Sequence, residues 1–133
     1  MENIYIEGSH TNFFIPTVDF NAEKGTCMLS GESFLEDTIE FYDPLVQWLE
    51  EYTSEVKNPI TFEIKLTYFN TSTSRSILDL LNILKEYEDD GGEVTVNWHY
   101  DEDDIDMEED IEDYMLDTGL EINMIPFDEE EMD

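Results

Sequence analysis

The chain has 133 residues, 40% of them hydrophobic, with eight Phe, seven Tyr and two Trp. That is enough apolar material for one domain with a real core, and too much for a disordered acidic polypeptide. Thirty-six carboxylates face only five cations (Lys24, Lys57, Lys65, Arg75 and Lys85), a formal charge of −31, so phosphate backbones and anionic lipid headgroups are repelled over a Debye length of roughly 8 Å at physiological salt.

Short β structure is expected first, in "NIYI", "FFIPTVDF" and "TCMLSG", with Asn21 and Lys24-Gly25 turning the chain between the second and third segments. A helix follows in "YDPLVQWLEEY", where Asp43 reads as the N-cap and Pro44 as the first helical residue, with Leu45, Leu49, Tyr52 and Val56 at helical spacing. "NPITFEIKLTYFN" is the clearest strand. Ile60, Phe62, Ile64, Leu66 and Tyr68 alternate with Thr61, Glu63, Lys65 and Thr67, which predicts one apolar and one mostly polar face. The next helix buries Ile77, Leu80, Leu81, Leu84 and Tyr87 and stops at Gly91-Gly92. "EVTVNWHY" is a second alternating strand, so strand, helix and strand form a βαβ crossover. "DEDDIDMEEDIEDYMLDTG" reads as an acidic helix closed by Gly119, with Ile105, Ile111, Tyr114 and Met115 as its apolar residues, and "LEINMIPF" as a last edge strand. The expected fold is α/β (α+β), a small mixed β-sheet with helices mainly on one face. It forms a single domain over residues 1–127, with 128–133 as an acidic tail.

Little here points to catalysis. Cys27 is the only cysteine, so neither an intramolecular disulfide nor a cysteine metal framework is available. "MENIYIEGSH" lacks the basic and apolar regions of a signal peptide, and no run approaches a membrane span, so a cytoplasmic setting is expected. His10, His99 and Cys27 are the residues open to nucleophilic, base or transition-metal chemistry, but no HExxH, GxSxG, CxxC or P-loop pattern surrounds them. An EF-hand frame started at Asp101 puts Ile105 at a ligand position, and one started at Asp104 puts Glu109 where Gly belongs. No metal, cofactor or catalytic residue is therefore assigned. A constitutive acidic binding protein, even a nucleic-acid mimic that fills a basic groove, accounts for the charge alone.

The informative stretch is "FNTSTSRSILDLLNILKEY". Thr71, Ser72, Thr73 and Ser74 stand where a helix needs one capping hydroxyl, and the chain's only Arg, Arg75, follows. A helix N-terminus beside a cation is one of few places on so acidic a chain where a phosphate could be accommodated.

At these residues the sequence resembles the SiaC family of bacterial regulatory phosphoproteins. The resemblance is carried by "TNFFIPTVDFN", "GESFLEDTIEFYDPLVQWLEEY", "TYFNTSTSRSILDLL", "NWHYDEDDIDM" and "MIPF" in that order. It implies a STAS-like fold and a non-enzymatic component of a partner-switching pathway. It also implies phosphorylation on the threonine of Asn-Thr-Ser, here Thr71, by a partner kinase, and reversal by a PPM-type phosphatase. Asn70, Ser72, Thr73, Ser74 and Arg75 would form the phosphosite loop and partner contact. The unphosphorylated form would bind and activate a downstream signalling enzyme such as a diguanylate cyclase, raising cyclic di-GMP in biofilm control. Two positions depart from the family pattern: Thr73 stands in place of Ser, and Ile111 in place of Gly.

Overall fold

A computed structural model describes residues 1–9 and 14–128, among which three strands come first and three helices then alternate with three more strands. In chain order they are β1 (Ile4–Ile6), β2 (Thr17–Asn21), β3 (Thr26–Ser33), α1 (Thr38–Glu51), β4 (Ile60–Phe69), α2 (Thr71–Asp89), β5 (Val94–Asp101), α3 (Ile105–Thr118) and β6 (Asn123–Phe127). Strand order in the sheet equals strand order in the sequence. The β1-β2 and β2-β3 pairs are antiparallel, while β3-β4, β4-β5 and β5-β6 are parallel. The single crossover expected from the sequence is thus one of three. Crossovers of one hand that all step the same way across a sheet carry their helices to one face. The burial pattern agrees: Val18, Phe20, Cys27, Leu29, Ile60, Phe62, Ile64, Leu66, Val96 and Trp98 are sealed beneath the helices. Thr61 and Glu63 on the other face are half-buried, and Lys65 and Thr67 are exposed.

The turn between β2 and β3 lies where Asn21 and Gly25 place it, with Asn21 Oδ1 accepting from the Lys24 N–H at 3.0 Å. Gly25 adopts φ 66° and lets the Pro59 carbonyl lie against it, and a Cβ there would also meet the Tyr52 hydroxyl at 2.7 Å. Tyr52 belongs to a π-helical turn, Tyr52–Val56, that extends α1 and ends at Lys57 in the left-handed region.

Three expectations are corrected. Helix α1 starts at Thr38, capped by Asp37, whose side chain accepts from Glu40 N–H at 3.0 Å. Pro44 therefore lies inside the helix, where its missing N–H leaves the Glu40 carbonyl without an intrahelical partner. Both residues are exposed, so water can serve that carbonyl. Asp43, instead of capping, accepts from Gln47 Nε2 one turn on, at 2.7 Å.

The second correction concerns Tyr68. The β3-β4 register pairs Gly31 with Leu66 but Glu32 with Tyr68, so Thr67 is an extra residue in β4. Such a bulge reverses the alternation beyond it. Phe69, not Tyr68, turns inward to meet the Trp98 ring at 6.0 Å, and Tyr68 is left 47% exposed on the open face.

The third concerns α3, whose inward stripe is Met107, Ile111, Tyr114 and Thr118 at regular helical spacing. Ile105 takes no part and is 66% exposed. Asp104 caps this helix through Met107 N–H, and Gly119 closes it at φ 79°. The final strand forms as expected on the edge, where Pro126 can lack a donor without breaking the sheet.

Candidate functional site

Strand β4 hands over to α2 through Asn70, whose extended backbone (φ −86°, ψ 175°) sets the entry into the helix. Its N–H donates to the Ser33 carbonyl at 3.2 Å, and its Oδ1 accepts from Thr73 N–H at 3.0 Å. Asn70 is therefore the N-cap, and none of the four hydroxyls serves as one. They form the first turn of the helix rather than a loop before it.

Successive helical residues point about 100° apart, and the four hydroxyls fan out accordingly. Ser72 Oγ meets Thr38 Oγ1 of α1 at 2.7 Å and also donates to Asn70 Oδ1 at 3.2 Å. Thr73 turns inward, fully buried, and its hydroxyl meets Ser33 Oγ at 2.9 Å; Ser33 Oγ lies 2.9 Å from the Tyr42 hydroxyl. Ser74 Oγ meets the Tyr114 hydroxyl of α3 at 2.7 Å. Three hydroxyls thus anchor the helix start to α1, β3 and α3. Thr71, exposed, is the fourth, and among the described residues its hydroxyl has no hydrogen-bond partner.

The surroundings of Thr71 suit an anion. Thr73 N–H is taken by the cap and Ser74 N–H by the Asn70 carbonyl, whereas the N–H groups of Thr71 and Ser72 have no partner among the described residues. Arg75, one turn on and therefore on the same helix face, is exposed and makes no ion pair among the described residues. Of the residues expected to form a partner contact, Asn70, Thr71, Ser72, Ser74 and Arg75 are drawn together at the surface. Thr73 has no surface to offer.

Ser33, Thr38, Tyr42 and Tyr114 complete the arrangement and were not singled out from the sequence. No spacing rule links them to position 71, though the first three lie within the "GESFLEDTIEFY" block. Burial pushes the Tyr42 hydroxyl up to about 12, against the opposing pull of its Ser33 hydrogen bond. Burial likewise raises Tyr114 to about 12, with the Ser74 bond opposing and Asp110 and Asp117 adding to the rise. A raised folded-state value gives stability that is complete below the unfolded value of 10.0 and lost as pH climbs towards about 12. Between pH 9 and 12, Tyr42→Phe should remove about 2 kcal/mol of the alkaline loss of stability, measured by urea unfolding across that range. An unchanged pH slope would show that Tyr42 ionises as freely in the folded state.

The other candidates fall outside this site. Cys27 is fully buried in β3, and burial, with Asp19 adding, pushes its thiol far above the ordinary range. His99 Nε2 lies 3.2 Å from Glu63 Oε2 on the open face of the sheet. His10 lies outside the described residues, as do residues 129–133 of the acidic tail. Among the described residues, no group of three or more His, Cys, Asp or Glu could hold a metal ion. No helix of the described residues is long and apolar enough to cross a membrane.

The model of the SiaC family of regulatory phosphoproteins matches residues 6–127. This chain belongs to the SiaC family. Membership makes it a regulatory protein and not an enzyme. An uncharacterised protein of Pseudomonas aeruginosa (strain UCBPP-PA14) is 27% identical over 101 residues, covering 76% of this chain and 78% of its own. The crystal structure of apo-SiaC from Pseudomonas aeruginosa superposes with a TM-score of 0.84 at 24% identity, covering 94% of this chain and 99% of that one. A chain in the crystal structure of the diguanylate cyclase SiaD in complex with its activator SiaC, from the same organism, gives 0.86 at 23% identity over 93% and 99%. At these identities the superpositions establish the fold, a mixed sheet with its helices on one side.

Proposed function

We propose that this chain is the reversibly phosphorylated switch of a partner-switching pathway, with Thr71 as the phosphoacceptor. The observation that carries this reading is the fan of hydroxyls: Ser72, Thr73 and Ser74 are each engaged, and exposed Thr71 is the one with no hydrogen-bond partner among the described residues. A kinase can take the Thr71 hydroxyl without breaking a bond that holds α2 in place. Phosphate adds a charge of about −1.5 to −2. The Thr71 and Ser72 N–H groups, the helix dipole and Arg75 stand ready to receive it.

In the unphosphorylated state, a neutral first turn lets a downstream enzyme pack closely against it, with Arg75 available to that partner's carboxylates. Phosphate puts bulk and charge into the contact and turns Arg75 towards itself. The downstream enzyme is a diguanylate cyclase in this reading, since a solved relative is the activator of one. A partner kinase and a PPM-type phosphatase set the phosphorylation state.

Intact-mass analysis of the protein incubated with ATP and host extract should show one added phosphate, absent in Thr71→Ala. Binding to the candidate cyclase should be retained in Thr71→Ala and weakened about tenfold or more in Thr71→Glu, as expected for one charge placed in a packed contact. Phosphate found on Ser72, or equal binding by the two variants, would refute the assignment. Binding that ignores phosphorylation and collapses in salt would favour a constitutive acidic binding protein.

A further inference from the structure

A groove lies between α1 and α2, which the bond from Thr38 Oγ1 to Ser72 Oγ joins at 2.7 Å. From α1 it takes Ile39, Tyr42, Asp43 and Val46, and from α2 Ser76 and Asp79, which continue the Ser72 face of that helix. Its volume is about 110 Å³, suited to one side chain and small beside the roughly 300 Å³ or more of a small-molecule site. Ile39 is 77% exposed, and Val46 is half-buried. Ser76 is only 7% exposed, yet among the described residues its hydroxyl has no hydrogen-bond partner. The exposed Asp79 carboxylate makes no hydrogen bond or ion pair among the described residues either. On α1, Asp43 accepts from Gln47 Nε2 at 2.7 Å, a neutral donor that leaves the charge in place.

We infer that this groove receives a lysine side chain of a partner protein. A lysine stem can lie along Ile39 and Val46 while its ammonium stays at the solvent edge, between Asp43 and Asp79. The three ammonium donors match three acceptors: the two carboxylates and the Ser76 hydroxyl. Those acceptors come from two helices. They suit a rotatable point charge better than the planar fork of arginine, which favours both oxygens of one carboxylate. A purely apolar side chain would cover Ser76 and crowd Asp79 without offering a donor to either. No Lys or Arg among the described residues lines the groove. The inference is independent of phosphorylation at Thr71, which lies about 140° round α2 from Ser76.

The test is a titration of the full chain with N-acetyl-lysine methylamide at low salt, followed through the methyl resonances of Ile39 and Val46. Two controls separate the parts of the probe. The norleucine counterpart keeps the stem without the charge, and the diaminopropionate counterpart keeps the charge on a single-carbon stem. Saturable methyl shifts with a dissociation constant of about 10 mM are expected for lysine, and at least about fivefold weaker binding for each control. Asp79→Asn should weaken lysine binding severalfold. Ile39→Ser, at an exposed position, should keep the thermal midpoint near wild type and weaken binding, read at Val46, about threefold or more. Equal affinity for either control would overturn the inference. So would lysine shifts that fail to saturate at Ile39 and Val46 or are as large across the rest of the acidic surface, or full binding by Asp79→Asn or a folded Ile39→Ser.

Discussion

The thermal midpoint of this protein should rise by about 10 °C as sodium chloride is raised from about 10 mM to about 1 M, a range over which the Debye length falls from about 30 to about 3 Å. Self-repulsion is the reason. A formal charge of −31 on 133 residues is held closer together in the folded chain than in the unfolded one, so folding carries a Coulomb cost that salt removes. Few internal pairs offset it. The Lys and Arg ion pairs among the described residues are those of Lys85 with Glu88 and with Asp89, on the partly exposed surface of α2. Helix α3 is the extreme case. Asp106, Glu108, Glu109, Asp110, Glu112, Asp113 and Asp117 share it with no cation, and four like-charged pairs fall at the i,i+4 spacing where charges repel most. Most of the rise should come below about 0.1 M, where screening acts and salting-out is weak. It should shrink at about pH 4.5, where many carboxylates are protonated. Calorimetry in the two buffers decides the matter, and a midpoint flat in salt at neutral pH would mean that bound counterions already neutralise the surface.

Much of the fold was legible because its central elements obey strong periodicities. In β4, Ile60, Phe62, Ile64 and Leu66 alternate without error, and in α2 every residue assigned to the core is buried. Periodicity cannot see a single inserted residue, however, and one such insertion at Thr67 sends Tyr68 to the wrong face. Local chemistry misled at α1, because Asp43-Pro44 imitates a helix start more loudly than the true one. The Asp37-to-Glu40 spacing is itself a capping pattern, and the structure uses it. Pro44 survives inside the helix because it faces water.

At the site, the sequence supplied the cluster and the structure supplied the division of labour. Four adjacent hydroxyls look interchangeable in a string of letters. Helical geometry makes them unlike by giving each a different neighbour, and those neighbours lie up to 40 residues away. Asn70 proved a better cap than any of them, being the side chain already extended at the end of β4. The family resemblance points to Thr71 on pattern alone, and in the structure that residue is exposed.

Ile111→Gly, which installs the residue expected from the family pattern, should cost about 3 to 6 kcal/mol, a large share of the roughly 5 to 15 kcal/mol that holds a domain folded. Ile111 is fully buried, so the departure at this position alters packing and leaves the outer face of α3 unchanged. Removing the side chain to Ala forfeits about 2 to 5 kcal/mol, and going on to Gly adds about 1 in backbone entropy. The loss falls on a helix that its own charges already strain, so packing carries the burden that salt would otherwise relieve. Urea unfolding of Ile111→Ala and Ile111→Gly separates the two contributions. A second readout follows from Tyr114, which lies on the same stripe, stacks on Trp98 at 5.6 Å and holds Ser74 at 2.7 Å. If α3 loosens as a unit, Trp98 fluorescence should change before global unfolding, and the first turn of α2 should lose its anchor to α3. A total cost below about 2 kcal/mol would show instead that α3 closes over the vacated space.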